Sequence, residues 1–139
     1  MSENEPFEPK IFTVEEANEL LPRLRQILDD LRSARERLLD AQSKLAERFH
    51  GGARTNGHVV PGGEVDRLNA SSAEAQADIG KAVNAIAELG CELKDPERGM
   101  VDFRTLHDGR IVYLCWLAHE PTIRWWHELD GGYRGRQPL

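Results

Sequence analysis

Between Thr13 and Phe49 the apolar residues Ala17, Leu20, Leu24, Ile27, Leu31, Ala34, Leu38, Ala41 and Leu45 recur at alternating steps of three and four. That spacing predicts one coiled-coil-like helix over 13–50, with a seam sustained for about four heptads. At 1.5 Å rise per residue it would extend roughly 55 Å, longer than a compact domain of this size needs. Thr13 with Glu16 forms a capping box at its start, and Glu15 adds acidic charge at the positive helix end. Pro22 lies inside the pattern and lacks the N–H that would reach the Asn18 carbonyl, so a kink or break is expected there. The register passes through it without a slip, which favours a kink over a loop.

A second helical pattern covers 64–89, with Val65, Leu68, Ser72, Ala75, Ile79, Ala82, Ile86 and Leu89 on one stripe. Its seam is small where that of the first helix is large, which suits close antiparallel packing as an αα-hairpin. Gly80 in its interior reads as a further sign of close approach, and Gly90 as the residue that ends it. The intervening stretch 51–63 is rich in glycine and predicts a mobile loop; His58 within it reads as a surface histidine.

From Cys91 the period shortens to two. Cys91–Lys94, Met100–Leu106, Arg110–Leu117 and Thr122–Leu129 predict strands of a small antiparallel sheet spanning 91–129. Asp108-Gly109 suits a two-residue type I′ turn. That turn sets Leu106 opposite Ile111, Thr105 opposite Val112, Arg104 opposite Tyr113, Phe103 opposite Leu114, Asp102 opposite Cys115 and Val101 opposite Trp116. One face then carries Val101, Phe103, Val112, Leu114 and Trp116, the expected core. The other carries Asp102, Arg104, Tyr113 and Cys115. Alternation along the last strand adds Ile123 and Trp125 to the core face and Arg124, Trp126 and Glu128 to the polar one, in a register that the four-residue turn leaves open to a slip of one. The glycine-rich tail 130–139 predicts extended, irregular chain.

The fold class expected is therefore α+β: a long helical hairpin with a three- or four-stranded antiparallel sheet, an N-terminal arm over 1–12 and a C-terminal tail, all one domain of 139 residues. A net charge of −6 argues against a nucleic-acid binder or a protein docked on anionic lipid. No apolar run is long enough to span a membrane, and the acidic N-terminus has no signal-like core. Cys91 and Cys115 lack CxxC spacing and read as reduced cytoplasmic thiols. The arginines beyond Pro22 are interleaved with acids, which favours a solvated helix face over an RNA-binding stripe.

The polar sheet face is the strongest candidate for chemistry. With the tail it gathers Asp102, Arg104, Tyr113, Cys115, Arg124, Trp126, Glu128, Arg134 and Arg136, a mixture suited to a small anionic or planar ligand. The plainer alternative is a solvated face of cross-strand ion pairs. Cys115 and Asp102 are parts of a nucleophile set, but no histidine is assured beside them. No cofactor is predicted. His119, Glu120, His127, Glu128 and Asp130 cluster late, and a divalent metal would take His119, His127 and Asp130 as its candidate ligands, although alternation puts His127 and Glu128 on opposite faces and His119 lies in the turn. The tail arginines either grip an anion or dock on a carboxylate of the sheet, Asp102 or Glu128 by preference; docking is favoured.

Several ordered motifs carry a resemblance: Phe12-Thr-Val-Glu-Glu-Ala-Asn-Glu-Leu-Leu-Pro22, Lys94-Asp-Pro-Glu-Arg-Gly99, Val101-Asp-Phe103, Asp108-Gly-Arg110, Leu114-Cys-Trp116, Trp126-His-Glu-Leu129 and Gly135-Arg-Gln-Pro138. Together they resemble a bacterial family catalogued as domain of unknown function 2203, over nearly the whole chain. The resemblance implies a small bacterial protein and brings no activity or site residue with it. The function expected is a non-enzymatic interaction module, a homodimer through its helices or the holder of a protein partner. The alternative is a protein, with or without enzymatic activity, that binds a small anion or metal.

Overall fold

The computed structural model describes residues 10–52 and 62–139 and is mixed α+β, two long helices that pack together and a five-stranded antiparallel sheet. The arm over 1–9, most of the loop expected to be mobile, and His58 lie outside the described residues. The chain divides into two compact units, one of residues up to Leu28 with Ala85–Leu139, the other Asp29–Asn84.

The first unit opens with helix α1 (Val14–Glu19), and the capping box is present in full: Thr13 Oγ1 accepts from Glu16 N–H at 3.1 Å, and Glu16 Oε1 accepts from Thr13 N–H at 3.0 Å. Leu20 interrupts the helix, and α2 (Leu21–Gly52) restarts at once with Pro22 as its second residue. Proline is tolerated there because a first-turn N–H has no helical partner. The Leu20 carbonyl accepts from Leu24 N–H at 2.9 Å, so Leu20 serves both helices and no loop intervenes. The freed Asn18 turns its side chain outward from the helix, its Oδ1 accepting from Ile123 N–H at 2.9 Å.

Strands β1 (Glu92–Asp95), β2 (Met100–His107), β3 (Arg110–Leu117), β4 (Trp125–His127) and β5 (Gln137–Pro138) follow one another as antiparallel neighbours. The β2–β3 register is the one the Asp108-Gly109 turn predicts, from Val101 opposite Trp116 to Leu106 opposite Ile111. Both turn residues have positive φ, 50° and 79°, as a type I′ turn requires. The core face holds Val101, Phe103, Val112, Leu114 and Trp116, all fully buried. Leu21, Leu24, Ile27 and Leu28 of the same unit are buried as well, and Phe12 meets Phe103 edge-on at 5.3 Å. Phe12 is also held by its backbone: its N–H donates to the Arg104 carbonyl at 2.7 Å and its carbonyl accepts from Thr105 Oγ1 at 2.7 Å.

In the sheet and the tail, two expectations need correction. The β4 register slips by one: Tyr113 faces His127, Leu114 faces Trp126, and Cys115 faces Trp125. Opposed residues share a face, so Trp126 joins the core side and Trp125 the polar side. The tail is also more regular than its glycines suggested. Tyr133–Gly135 forms a 3₁₀ turn, and Gln137–Pro138 adds the fifth strand, with Trp126 opposite Gln137.

The second unit is the hairpin of α2 and α3 (Gly62–Glu88). Arg37 pairs with Asp78 at 2.8 Å and Arg48 pairs with Glu64, an order that shows the helices antiparallel. Ala34, Ala41, Ala75 and Ala82 are buried at its seam together with Leu31. Gly80 differs from expectation: among the described residues, a Cβ there would meet nothing within 4 Å.

Candidate functional site

The sheet's second face is not a solvated surface at its centre. Asp102, Cys115 and His127 are there with exposures of 1%, 0% and 1%, a carboxylate, a thiol and an imidazole all shut from solvent. Pairing explains how they meet. Asp102 opposes Cys115 across β2 and β3, and the slipped β4 register brings His127 to the same face beside Tyr113. Met100 and Leu117 add apolar packing on that side.

The tail is the cover. Gly131 and Gly135 pass beside His127, where an added Cβ would make ordinary van der Waals contact with the His127 Cβ, at 3.5 Å and 4.0 Å. Arg136 lies over the Trp125 and Tyr133 rings, donates to the Cys115 carbonyl at 3.1 Å and pairs with Glu120 at 2.5 Å. Glu120 also accepts from Leu117 N–H at 2.7 Å, while its carbonyl takes the Trp116 indole N–H at 2.9 Å and an Arg25 N–H at 3.1 Å. One residue of the β3–β4 turn thereby ties the tail to the sheet. The tail does dock on a carboxylate, but on Glu120 rather than Asp102 or Glu128; Asp102 is taken by His127, and Glu128 by Arg110.

The imidazole orientation fixes its protons. His127 Nδ1 stands 2.6 Å from the Glu128 carbonyl, and Nε2 stands 2.9 Å from Asp102 Oδ2. A carbonyl oxygen only accepts, so Nδ1 carries hydrogen. Nε2 and Oδ2 then share one proton, as imidazolium with carboxylate or imidazole with carboxylic acid, and the pair is neutral in both forms. Burial pushes the Asp102 carboxyl above its usual range, against the opposing pull of His127 and a contact with the Cys115 thiol. Asp102 Oδ1 has no hydrogen-bond partner of good geometry. Burial first, then the Asp102 charge, pushes the Cys115 thiol up to about 12. Cys115 is therefore a neutral thiol at ordinary pH, and both nitrogens of His127 are turned to oxygens. A thiolate nucleophile activated by histidine does not exist in this arrangement.

Of the residues singled out from sequence, Asp102, Tyr113, Cys115 and Arg136 belong to this face. Arg104 lies at its rim, bonded to Glu92 at 3.2 Å and set over the Tyr113 ring. Glu92 would be raised by burial, yet hydrogen bonds from Tyr113, Lys94 and Arg104 hold it below its usual value. Trp126 is on the opposite face beside His107, at 4.5 Å between rings. Arg124 and Arg134 are exposed, and Arg124 Nε donates to Thr122 Oγ1 at 3.4 Å. Of the expected metal ligands, only His127 is in the cluster; His119 and Asp130 are exposed and apart from it. Trp125 and Glu92 are missed in the sequence, the first through the register and the second because a short edge strand carries no strong pattern, while Glu120 reads there only as one of the late acids and not as the anchor of the tail.

No curated protein and no solved structure matches the chain. A family profile described as an uncharacterized conserved protein matches residues 10–139. That match takes in α1, the hairpin, the sheet and the tail that closes over it, and the chain belongs to this family, DUF2203.

Proposed function

We propose that the chain is a non-enzymatic interaction module that pairs with a second copy of itself through the helical hairpin Asp29–Asn84. The observation that carries this reading is the incomplete burial of the hairpin's own seam. Leu38, Leu45, Val65, Leu68 and Ile79 stay half-exposed, and Leu39 and Phe49 stand 63% and 71% open. Two helices cover each other along one line only, and apolar positions flanking that line need a further helix to cover them. Charge supports a second copy as that cover. Arg32, Arg37, Lys44 and Arg48 alternate with Asp29, Glu36, Asp40 and Glu47 along α2, so an antiparallel mate meets no single-sign barrier. Several of these charges are already paired within the chain, as Lys44 with Asp40 at 3.0 Å and Arg37 with Asp78. Such a mate would give a four-helix arrangement.

Among the described residues no helix is long and apolar enough to cross a membrane. Cys91 and Cys115 are buried free thiols, which supports the reducing cytoplasm as the setting. Disulfide trapping tests the pairing. Leu39→Cys should form a covalent dimer rapidly under mild oxidation at low protein concentration. Leu106→Cys, an equally exposed position on the sheet, should not. Equal crosslinking at both positions, or none at Leu39→Cys, contradicts the reading.

A further inference from the structure

The buried face brings a carboxylate oxygen, a thiol sulfur and an imidazole nitrogen within 4.8 Å of one another, the one such group among the described residues. We propose that Asp102, Cys115 and His127 are the ligands of a single divalent cation of the zinc class. The donor set selects that class: a thiolate and an imidazole suit zinc, whereas magnesium and calcium take oxygen ligands.

The surroundings fit coordination. At zinc bond lengths of about 2.0–2.3 Å, tetrahedral ligand atoms stand roughly 3.3–3.7 Å apart, so His127 Nε2 and Asp102 Oδ2, now at 2.9 Å, would open by a few tenths of an ångström. A metal-bound histidine commonly gives its other N–H to a carbonyl, and His127 Nδ1 already does so to Glu128 at 2.6 Å. That bond leaves Nε2 as the coordinating atom. Three protein ligands leave the fourth tetrahedral position to a water molecule, for which Asp102 Oδ1, buried and without a partner, would be an acceptor.

The exchange balances. One cation enters and two protons leave, one from the His127–Asp102 pair and one from Cys115. A neutral imidazole, a carboxylate, a thiolate and a dication sum to zero, the same charge that the protonated cluster carries, so loading buries no net charge. The ion would tie β2, β3 and β4 together beneath the tail. With all three ligands shut from solvent, its role would be structural. This inference is independent of the pairing of hairpins.

The test uses the full chain, chelated and reduced, titrated with Co²⁺ and then Zn²⁺. The expected result is one Co²⁺ per chain with thiolate-to-cobalt charge-transfer absorption and tetrahedral d–d bands, displaced by Zn²⁺, which also raises the melting temperature. Cys115→Ser should abolish the charge-transfer band, and His127→Gln should weaken binding by about tenfold or more. His107→Ala and His119→Ala, at more exposed positions, should leave the spectrum unchanged. If the variants do not fold, the unaltered protein's spectrum decides alone. Absence of the charge-transfer band, its persistence in Cys115→Ser, or its loss in His119→Ala would overturn the proposal.

Discussion

At the scale of single residues, the two thiols make the clearest statement about pH. Burial raises both Cys91 and Cys115 from an ordinary 9.0 to about 12. In the unfolded chain they ionise near 9 while the folded protein still holds both protons. Stability is thus intact below pH 9 and falls as pH rises toward 12, by up to about 1.4 kcal/mol per pH unit for each thiol. Urea denaturation at pH 8, 9 and 10 should show this slope, and Cys115→Ala should shallow it; an unchanged slope in that variant refutes the assignment. Asp102→Ala leaves His127 Nε2 without its partner in a dry site and should destabilise the fold by about 1–3 kcal/mol at neutral pH. Asp102→Asn, which keeps a hydrogen-bonding amide, should cost less. Chemical denaturation that gives the two variants equal stability would show that the hydrogen bond to His127 does not matter.

At the scale of elements, glycines separate into those the fold needs and those it does not. Gly99 has φ +67°, and a Cβ there would stand 2.7 Å from the Ala118 Cβ, while its carbonyl accepts from Ala118 N–H at 3.1 Å. Gly80 is helical and unobstructed. Gly80→Ala should therefore raise stability by about 1 kcal/mol, and Gly99→Ala should lower it by about 2 kcal/mol or more. Thermal melts of the two variants should move in opposite directions. In the tail, Arg136→Ala removes a pair whose side chains are only 11% and 14% exposed, and should cost about 1–3 kcal/mol. Truncation after Asp130 should cost more, because it also uncovers His127, and added phosphate should not alter the loss. An anion-dependent melt would restore a ligand-binding role for the tail.

The same elements show what was legible in the chain. The β2–β3 register could be read because Asp108-Gly109 permits one turn geometry, and a fixed turn fixes every pair beyond it. The β4 register could not, since the turn through Glu120 is shaped by its bonds to the Trp116 indole and the Leu117 amide, which no turn propensity specifies, and by Arg136 from the tail. That slip of one concealed His127 from Asp102 and Cys115, so the polar face was legible and its buried centre was not. The tail was misread for a related reason. Its glycines read locally as looseness, whereas Arg136 fixes it through bonds to Glu120 and the Cys115 carbonyl that local propensity does not show.

At the scale of the whole molecule, the account rests on a hairpin with more apolar surface than its two helices cover. Leu39 is the most direct probe, since its side chain is 63% exposed and contributes little to the chain's own core. Light scattering during gel filtration at micromolar concentration decides the matter. The account predicts twice the 15.7 kDa chain mass for the unaltered protein and the chain mass for Leu39→Glu, with unchanged helicity by circular dichroism. A single-chain mass for the unaltered protein would contradict it.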